Sequence, residues 1–277
     1  MDWSIRFPHL GIYLEHVGKN FTVFGISIAY NGVIIAVGML AGILLATYEA
    51  KRTGQNPDDY FDLAIIAIIC SVIGARLYYV IFSWDLYKDN LWSILNLRQG
   101  GLAIYGGVIA AIITAVVFAK VKGLSFPRLA DTAGLGLILG QIIGRWGNFV
   151  NGEAHGGATS LPWGMSIDGA SPVHPTFLYE SLWNFVGFLV LHFYSKKRRF
   201  KGEMALLYVA WYGLGRAWIE GLRTDSLYLG PVRVSQLLAG ISCIAAIAVL
   251  VRQYNRIKVE KAFYAPEQDK ADEKKGE

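Results

Sequence analysis

The chain has 277 residues, of which 54% are hydrophobic and 17% are charged, and its mean hydropathy is +0.38. A soluble domain usually carries about 25% charged residues, so the composition excludes an ordinary soluble fold and predicts an all-α integral membrane protein. The net charge of +5 comes mainly from loops and the tail. No basic stripe is evident, so we expect no nucleic-acid partner.

Seven apolar runs meet the requirement of about 20 residues for a helix that crosses a bilayer. The sequence therefore predicts about seven transmembrane helices, near residues 22–46, 61–83, 102–119, 129–147, 176–194, 203–221 and 234–251. An extracytoplasmic segment, 1–20, precedes a polytopic membrane domain, 21–253. We expect the charged tail, 254–277, to be cytoplasmic and disordered because it is poor in apolar residues.

Basic residues in the short loops predict the orientation of these helices, since lysine and arginine favour the cytoplasmic side. Basic residues follow the first, third, fifth and seventh runs, whereas the 151–175 connection has no lysine or arginine. The N-terminus is therefore expected outside and the C-terminus in the cytoplasm. With this orientation, the unusual polar residues of the runs fall in the outer half of the bilayer.

Four arginines lie among these polar residues: Arg76, Arg145, Arg216 and Arg223. An arginine at the centre of a membrane costs at least about 2.5 kcal/mol, and it is a functional hypothesis by default. Arg216, Glu220 and Arg223 have the spacing of one helix face. The planar guanidinium suits phosphate oxygens, so the cluster predicts a site for an anionic phospholipid head group. Snorkelling or a helix-to-helix salt bridge explains a single arginine, such as Arg76 or Arg223, equally well.

Two further segments carry polar groups at the same level. Residues 144–153, GRWGNFVNGE, combine Arg145 with Asn148, Asn151 and Glu153 as donors and acceptors for a ligand, although the glycines also fit a helix C-terminus. Residues 174–180, HPTFLYE, add His174, Tyr179 and Glu180. A histidine at such a position is more often an interfacial residue than a base. No zinc, Ser/His or CxxC motif is present, so we expect no metal site.

The segments GRWGNFVNGEAHG at 144–156, HPTFLYE at 174–180 and GGLAIYGG at 100–107 closely resemble motifs of the phosphatidylglycerol–prolipoprotein diacylglyceryl transferase family. The arginine–glutamate–arginine pattern at 216, 220 and 223 resembles a fourth. The resemblance extends over residues 20–250. It implies an enzyme of the bacterial plasma membrane that needs no cofactor and has its active site toward the outer leaflet.

The same resemblance implies the reaction. The diacylglyceryl group of phosphatidylglycerol would move to the thiol of the lipobox cysteine in a preprolipoprotein signal peptide. A thioether would form and glycerol phosphate would leave, as the first step of lipoprotein maturation.

By motif, Arg145 and Arg216 match arginines regarded as essential in the family, and Arg145 would contact the lipid head group. Asn148, Glu153, Glu220 and Arg223 match other functional positions. Tyr105 stands where the family often has histidine, and we assign it a catalytic role beside Arg145 and Arg216. The family often reads Tyr-Gly at the start of the first span, whereas this chain has Tyr30 and Asn31 before Gly32. Either Tyr30 or Asn31 can therefore take that role in substrate binding.

Two other classes of protein also explain a buried arginine cluster. A transporter or flippase for an anionic lipid often shows paired repeats and a site near the midplane; here no repeat is evident and the polar groups lie off-centre. A structural lipid-binding module explains the cationic residues but not the many acids, amides and phenols that converge with them.

Overall fold

The computed structural model describes residues 3–97 and 100–273, with side chains described up to Lys258. Seven α-helices lie within the described residues: α1 Tyr30–Arg52, α2 Pro57–Phe82, α3 Ile104–Val121, α4 Phe126–Asn151, α5 Thr176–Tyr194, α6 Glu203–Ile219 and α7 Val234–Glu273. The same residues form seven short strands: β1 Trp3–Phe7, β2 Ile12–Val17, β3 Asn20–Val23, β4 Ile26–Ala29, β5 Ser166–Ile167, β6 Tyr228–Leu229 and β7 Val232–Arg233. The mainly helical class is confirmed. The expectation of a purely α-helical chain is wrong, because strands of two to six residues are too short to leave a clear alternating pattern.

Four helices are long and apolar enough to cross a membrane: α1, α2, α3 and the Val234–Lys258 part of α7. Large apolar side chains on these helices are exposed, among them Leu44, Ile69, Ile112 and Ile244. Apolar surface of this extent marks contact with lipid rather than with water. Helices α4, α5 and α6 carry the polar residues described below and do not meet the same test.

Two boundaries differ from those predicted. The first predicted span begins at residue 22, but α1 begins at Tyr30 because β3 and β4 form a hairpin. Its turn, Phe24-Gly25, has positive φ angles of 49° and 79°, which close a tight hairpin. At the other end, α7 continues to Glu273, past the predicted start of the tail at residue 254. The disorder expected for this tail stays a prediction. The segment contains several Ala, Glu and Lys residues, which have high helix propensity. The last predicted tail residues, 274–277, lie outside the described part of the chain.

The chain divides into two compact units, residues 39–137 and residues 1–38 with 138–277. In the first, α2 packs on α3 where Gly74 faces Gly106: a Cβ atom at Gly74 would lie 2.7 Å from the carbonyl oxygen of Gly106. Small residues allow such close contact between membrane helices. Ala50, Tyr60 and Leu129 contribute to the buried core of this unit.

The second unit contains the strands and the helices that hold the candidate site. Strand β1 pairs with both β2 and β5 in an antiparallel sheet of order β2-β1-β5. Ile5 and Phe7 of β1 pack with Met165 and with Phe177 of α5 in a buried cluster. The sheet therefore fastens the N-terminal segment to the 152–175 connection and to the start of α5.

Two tryptophans lock α5 to α6 in the same unit. The indole nitrogen of Trp183 donates to the carbonyl oxygen of Trp211 at 3.0 Å. In return, the indole nitrogen of Trp211 donates to the carbonyl oxygen of Trp183, also at 3.0 Å. The rings stack with centroids 4.8 Å apart. Gly187 and Gly215 leave room for them, because a Cβ atom at either would lie 2.2 Å from an indole nitrogen. This pair sets the register of α5 against α6.

We predict that Gly74→Ala destabilises the protein by about 1–3 kcal/mol, because the new methyl group overpacks the contact between α2 and α3. A Cβ atom there would lie 2.4 Å from the Cβ of Ala110. The measurement is thermal unfolding in detergent. Gly240→Ala is the matched control, since nothing lies within 4 Å of its Cβ position in α7. Equal melting temperatures for the two variants would contradict the prediction.

Candidate functional site

The carboxylate of Glu180, in the second turn of α5, joins three arginines. Its Oε2 lies 2.7 Å from Nη2 of Arg145 on α4, and its Oε1 lies 2.8 Å from Nη1 of Arg216 on α6. Nη1 of Arg223 lies 3.7 Å from the same Oε1. Glu180 is buried. It is therefore the counter-ion that allows these arginines to lie together inside the protein.

Glu220, the first residue after α6, contributes a second carboxylate to the same cluster. Its Oε2 lies 2.6 Å from Nη2 of Arg216, one helical turn away, and 3.9 Å from Nε of Arg223. The spacing therefore predicted the Arg216–Glu220 pair correctly. The prediction of one helix face for all three residues is wrong, because α6 ends at Ile219 and Arg223 is extended.

Asp225 holds the outer side of Arg223. Its two carboxylate oxygens accept hydrogen bonds of 3.0 and 2.8 Å from Nε and Nη2 of Arg223. The hydrogen bond from Arg223 lowers the pKa of Asp225 below its ordinary value, although partial burial opposes this. Asp225 therefore stays ionised at neutral pH and keeps the guanidinium of Arg223 in a fixed plane.

Charges in the cluster match the helix ends on which they lie. Arg145 and Arg216 are near the C-terminal ends of α4 and α6, and Glu180 is near the N-terminal end of α5. Helix dipoles favour cations and anions at these respective ends. Three arginines face three carboxylates, those of Glu180, Glu220 and the half-exposed Asp225, so the cluster is close to neutral as a whole. Arg145 and Arg216 share the single carboxylate of Glu180, and positive charge is therefore concentrated at these two arginines.

Asn148, Asn151 and Glu153 form a second group at the end of α4. The amide nitrogens of Asn148 and Asn151 donate to Oε1 of Glu153 at 3.1 and 3.2 Å, and Glu153 is exposed. The next residue, Ala154, has a positive φ of 56°, and its carbonyl oxygen accepts a hydrogen bond from the hydroxyl of buried Thr176. Thr176 thus fixes the turn that presents Glu153.

His174 and Tyr179 form a third group together with Trp163, which the sequence did not single out. The indole nitrogen of Trp163 donates to the hydroxyl of Tyr179 at 2.8 Å, and Nδ1 of His174 lies 3.3 Å from the same hydroxyl. The ring of Tyr179 also stacks on Trp218. This arrangement orders the start of α5 beside the charge cluster.

Asn31 lies against the 144–153 segment, and Tyr30 contacts the β3–β4 hairpin. A Cβ atom at Gly147 would lie 3.5 Å from the Cβ of Asn31, whereas the ring of Tyr30 packs on Phe21 of the β3–β4 hairpin with centroids 4.9 Å apart. The side-chain oxygen of Asn31 accepts a hydrogen bond from the backbone nitrogen of Gly32.

Arg76 belongs to the other unit, and it organises a loop. Its guanidinium is buried and donates to backbone carbonyls at 2.7–3.1 Å, those of Ser93, Ile94, Asn96, Gly100 and Gly101. A guanidinium has five N–H donors, and all are used here. The expectation that Arg76 binds substrate is therefore not supported. Tyr105 lies in the same unit, in the first turn of α3.

Several residues near the cluster belong to no pattern that the sequence shows. Asp225 and Trp163 lie in connections without a motif, and only the nearness of Asp225 to Arg223 in sequence could have pointed to it. Gln141 and Tyr208 lie within apolar runs and form a hydrogen bond of 2.9 Å with each other. Within residues 3–97 and 100–273, no three His, Cys, Asp or Glu side chains group as a metal site would require.

Comparison of the sequence with known proteins identifies related chains. The family described as prolipoprotein diacylglyceryl transferase matches residues 19–252. A phosphatidylglycerol–prolipoprotein diacylglyceryl transferase of Clostridioides difficile (strain 630) is 51% identical over 227 residues, which cover 82% of this chain and 91% of that protein. Proteins of the same name from Bacillus mycoides (strain KBAB4) and Finegoldia magna (strain ATCC 29328) are 48% and 45% identical over 237 and 238 residues. These matches cover 81% and 86% of this chain, and 87% and 96% of the respective relatives.

We predict that Glu180→Gln destabilises the protein by about 3–5 kcal/mol, because it leaves the partly buried arginines without the buried carboxylate that they share. Thermal unfolding in detergent measures the loss. Glu153→Gln is the matched control: Glu153 is exposed and accepts hydrogen bonds from two amides, so its stability should remain within about 1 kcal/mol of the wild type. A melting temperature of Glu180→Gln equal to that of the control would contradict the role of Glu180.

Proposed function

The chain belongs to the prolipoprotein diacylglyceryl transferase family, and from this premise we propose how its arginine cluster serves the reaction. The protein is a membrane transferase that moves the diacylglyceryl group of phosphatidylglycerol to prolipoproteins. Our proposal is that Arg145 and Arg216 bind the phosphate of the lipid. The observation that supports it is that Arg145 and Arg216 meet at the single buried carboxylate of Glu180, which brings two guanidinium groups together. The planar guanidinium suits the oxygens of a phosphodiester.

In the proposed reaction, the acceptor is the thiol of the lipobox cysteine in the signal peptide. The thiol loses its proton, which ends on the released glycerol phosphate, and its sulfur attacks the glyceryl carbon that is bonded to the phosphate oxygen. A carbon–sulfur bond forms as the carbon–oxygen bond breaks, and the bonding electrons leave with glycerol phosphate. A free thiol has a pKa of about 8.5, so nearby positive charge favours the reactive thiolate.

Arg145 and Arg216 would stabilise the charge that develops on the leaving phosphate. Fixed cations act most strongly where water is excluded. Because Glu180 holds both guanidinium groups at 2.7–2.8 Å, little reorganisation is needed during the reaction. Glu220 and Arg223 complete this support, while Asn148, Asn151, Glu153, His174, Tyr179 and Asn31 supply the neighbouring polar surface for the substrates. Tyr105 would act by donating to the leaving group rather than as a discrete tyrosinate base.

The distribution of lysine and arginine supports the topology that we propose. All seven α-helices would cross the membrane, with the N-terminus outside and the C-terminus in the cytoplasm. The basic segments at residues 51–52, 120–128 and 196–201 would then face the cytoplasm. The ends of α4 and α6 and the start of α5, where the arginine cluster lies, would face the outer leaflet of the plasma membrane. Phosphatidylglycerol from that leaflet and an exported prolipoprotein could both reach this side.

The deciding experiment combines purified protein, phosphatidylglycerol and a lipobox peptide in liposomes. Mass spectrometry should show that the peptide gains one diacylglyceryl group and that glycerol phosphate is released. A peptide in which serine replaces the cysteine should remain unmodified. Movement of phosphatidylglycerol across the bilayer without any peptide product would instead favour the alternative of a lipid transporter.

We predict that Arg145→Gln and Arg216→Gln each lower kcat for this transfer by about 100- to 1000-fold, the usual effect of removing one group that stabilises transition-state charge. Arg145→Lys should also be impaired, since lysine lacks the planar fork. The matched control is Arg252→Gln, an exposed arginine of α7, which should retain wild-type turnover. Turnover of either site variant within tenfold of the control would contradict the proposed role.

Tyr105→Phe should lower kcat by about tenfold, the effect expected for the loss of one neutral hydrogen bond. The same peptide mass assay measures it. Tyr48→Phe on the exposed surface of α1 is the matched control and should be neutral. Full turnover of Tyr105→Phe would remove the hydroxyl of Tyr105 from the chemistry.

A further inference from the structure

A layer of polar side chains lies one helical turn from the arginine cluster, toward the middle of helices α4 and α5. Gln141 is four residues before Arg145 on α4, and Asn184 is four residues after Glu180 on α5. Residues four apart lie on the same helix face. Because the side chains of Arg145 and Glu180 contact each other at 2.7 Å, these faces of α4 and α5 are directed toward each other.

Helix α6 closes the same layer with two tyrosines. Tyr212 and Tyr208 precede Arg216 by one and two turns, and their rings stack with centroids 6.0 Å apart. The side-chain nitrogen of Gln141 donates to the hydroxyl of Tyr208 at 2.9 Å. The cluster is therefore continued along the helices by two amides and two phenols, where a membrane protein would normally place apolar side chains.

Two atoms of this layer have no partner among the described residues. Asn184 is 2% exposed, and its Nδ2 donates to no acceptor; the Oε1 of Gln141 is also buried and receives no donor. Buried polar atoms are nearly always hydrogen-bonded, and in a membrane interior leaving them unpaired is costly. One donor and one acceptor, on facing sides of α4 and α5, are thus left without a hydrogen-bond partner in the described part of the chain.

We propose that Asn184 and Gln141 bind the hydroxyl groups of the glycerol head group of phosphatidylglycerol. This inference rests on the proposed function. Asn184 donates from Nδ2 to a hydroxyl oxygen, and a hydroxyl hydrogen is donated to Oε1 of Gln141. One helical turn, about 5.4 Å, separates this layer from the phosphate at Arg145, and a three-carbon glycerol chain spans such a distance.

The chemistry of this pair selects among head groups. A hydroxyl both donates and accepts, so a glycerol satisfies both atoms. An ethanolamine ammonium only donates, which leaves Asn184 unpaired, and it adds a positive charge beside three arginines. A choline group does neither. Asn184 and Gln141 would therefore discriminate between head groups, whereas the arginines would bind the phosphate that all phospholipids share.

The test compares two lipids that differ only in these hydroxyls, phosphatidylglycerol and phosphatidyl-1-propanol, as donors to a lipobox peptide. The wild-type protein should prefer phosphatidylglycerol by about 10- to 100-fold in kcat/KM, as expected when a buried polar pair loses its partner. Asn184→Leu should lose this preference through a higher KM for phosphatidylglycerol, with little change for phosphatidyl-1-propanol.

Ser181→Ala is the matched control. Ser181 is also buried on α5, but its hydroxyl is already bonded to the carbonyl oxygen of Ile142 at 3.0 Å. Its loss should change both lipids by the same factor and leave the preference intact. Gln141→Met provides a second variant of similar shape, so that a failure of Asn184→Leu to fold does not end the test; it too should lose the preference.

If the Asn184 and Gln141 variants lose kcat/KM equally for both lipids, their preference for phosphatidylglycerol is unchanged. That result would overturn the inference and leave these side chains with a structural role only. Transfer from phosphatidylglycerol by the wild type would persist in that case. If the wild type instead transfers no diacylglyceryl group from either lipid, the proposed function itself fails, and this inference fails with it.

Discussion

The carboxylate of Glu180 is the interaction on which the site depends. It binds Arg145 through one oxygen and Arg216 through the other, and so joins α4, α5 and α6 at their ends. Without it, neighbouring guanidinium groups would repel one another in a medium that screens charge poorly. With Glu180, Glu220 and Asp225, the cluster has as many carboxylates as guanidinium groups. Under the proposed function, the phosphate of the substrate would bind guanidinium groups that these carboxylates already hold in place.

The surrounding packing keeps this arrangement rigid. Trp183 and Trp211 exchange hydrogen bonds three residues from Glu180 and five residues from Arg216, so that α5 cannot slide along α6 without breaking both. On the outer side, Thr176 fastens the turn at Ala154, and β1 ties the N-terminal strands to β5. Electrostatic catalysis requires donors that are already in position, and these contacts hold them there. Under the proposed function, the same contacts would support both stability and activity, so variants of the supporting residues should be measured for both.

Spacing rules predicted some of these features and failed for others. The Arg216–Glu220 pair follows from a separation of one helical turn, and the helix bounds of α5 agree with its apolar run. Arg223 was placed on the same helix, but the chain leaves the helix before it. Arg76 shows the sharper limit. A buried arginine in an apolar run is equally consistent with a ligand-binding group and with a scaffold for a loop, and only its backbone partners distinguish the two.

By itself, the sequence determined the helical membrane class, the family and the residues that form the arginine cluster, because hydropathy runs and motifs are local in the chain. Tertiary structure alone decided which charges meet. Glu180 lies 35 residues from Arg145 and 36 from Arg216 along the chain, so no pattern of spacing relates them. The short strands and the unpaired amides of Gln141 and Asn184 are likewise products of packing. A buried polar atom is paired only if a neighbouring helix places a donor or an acceptor beside it, and no single segment of the sequence determines this.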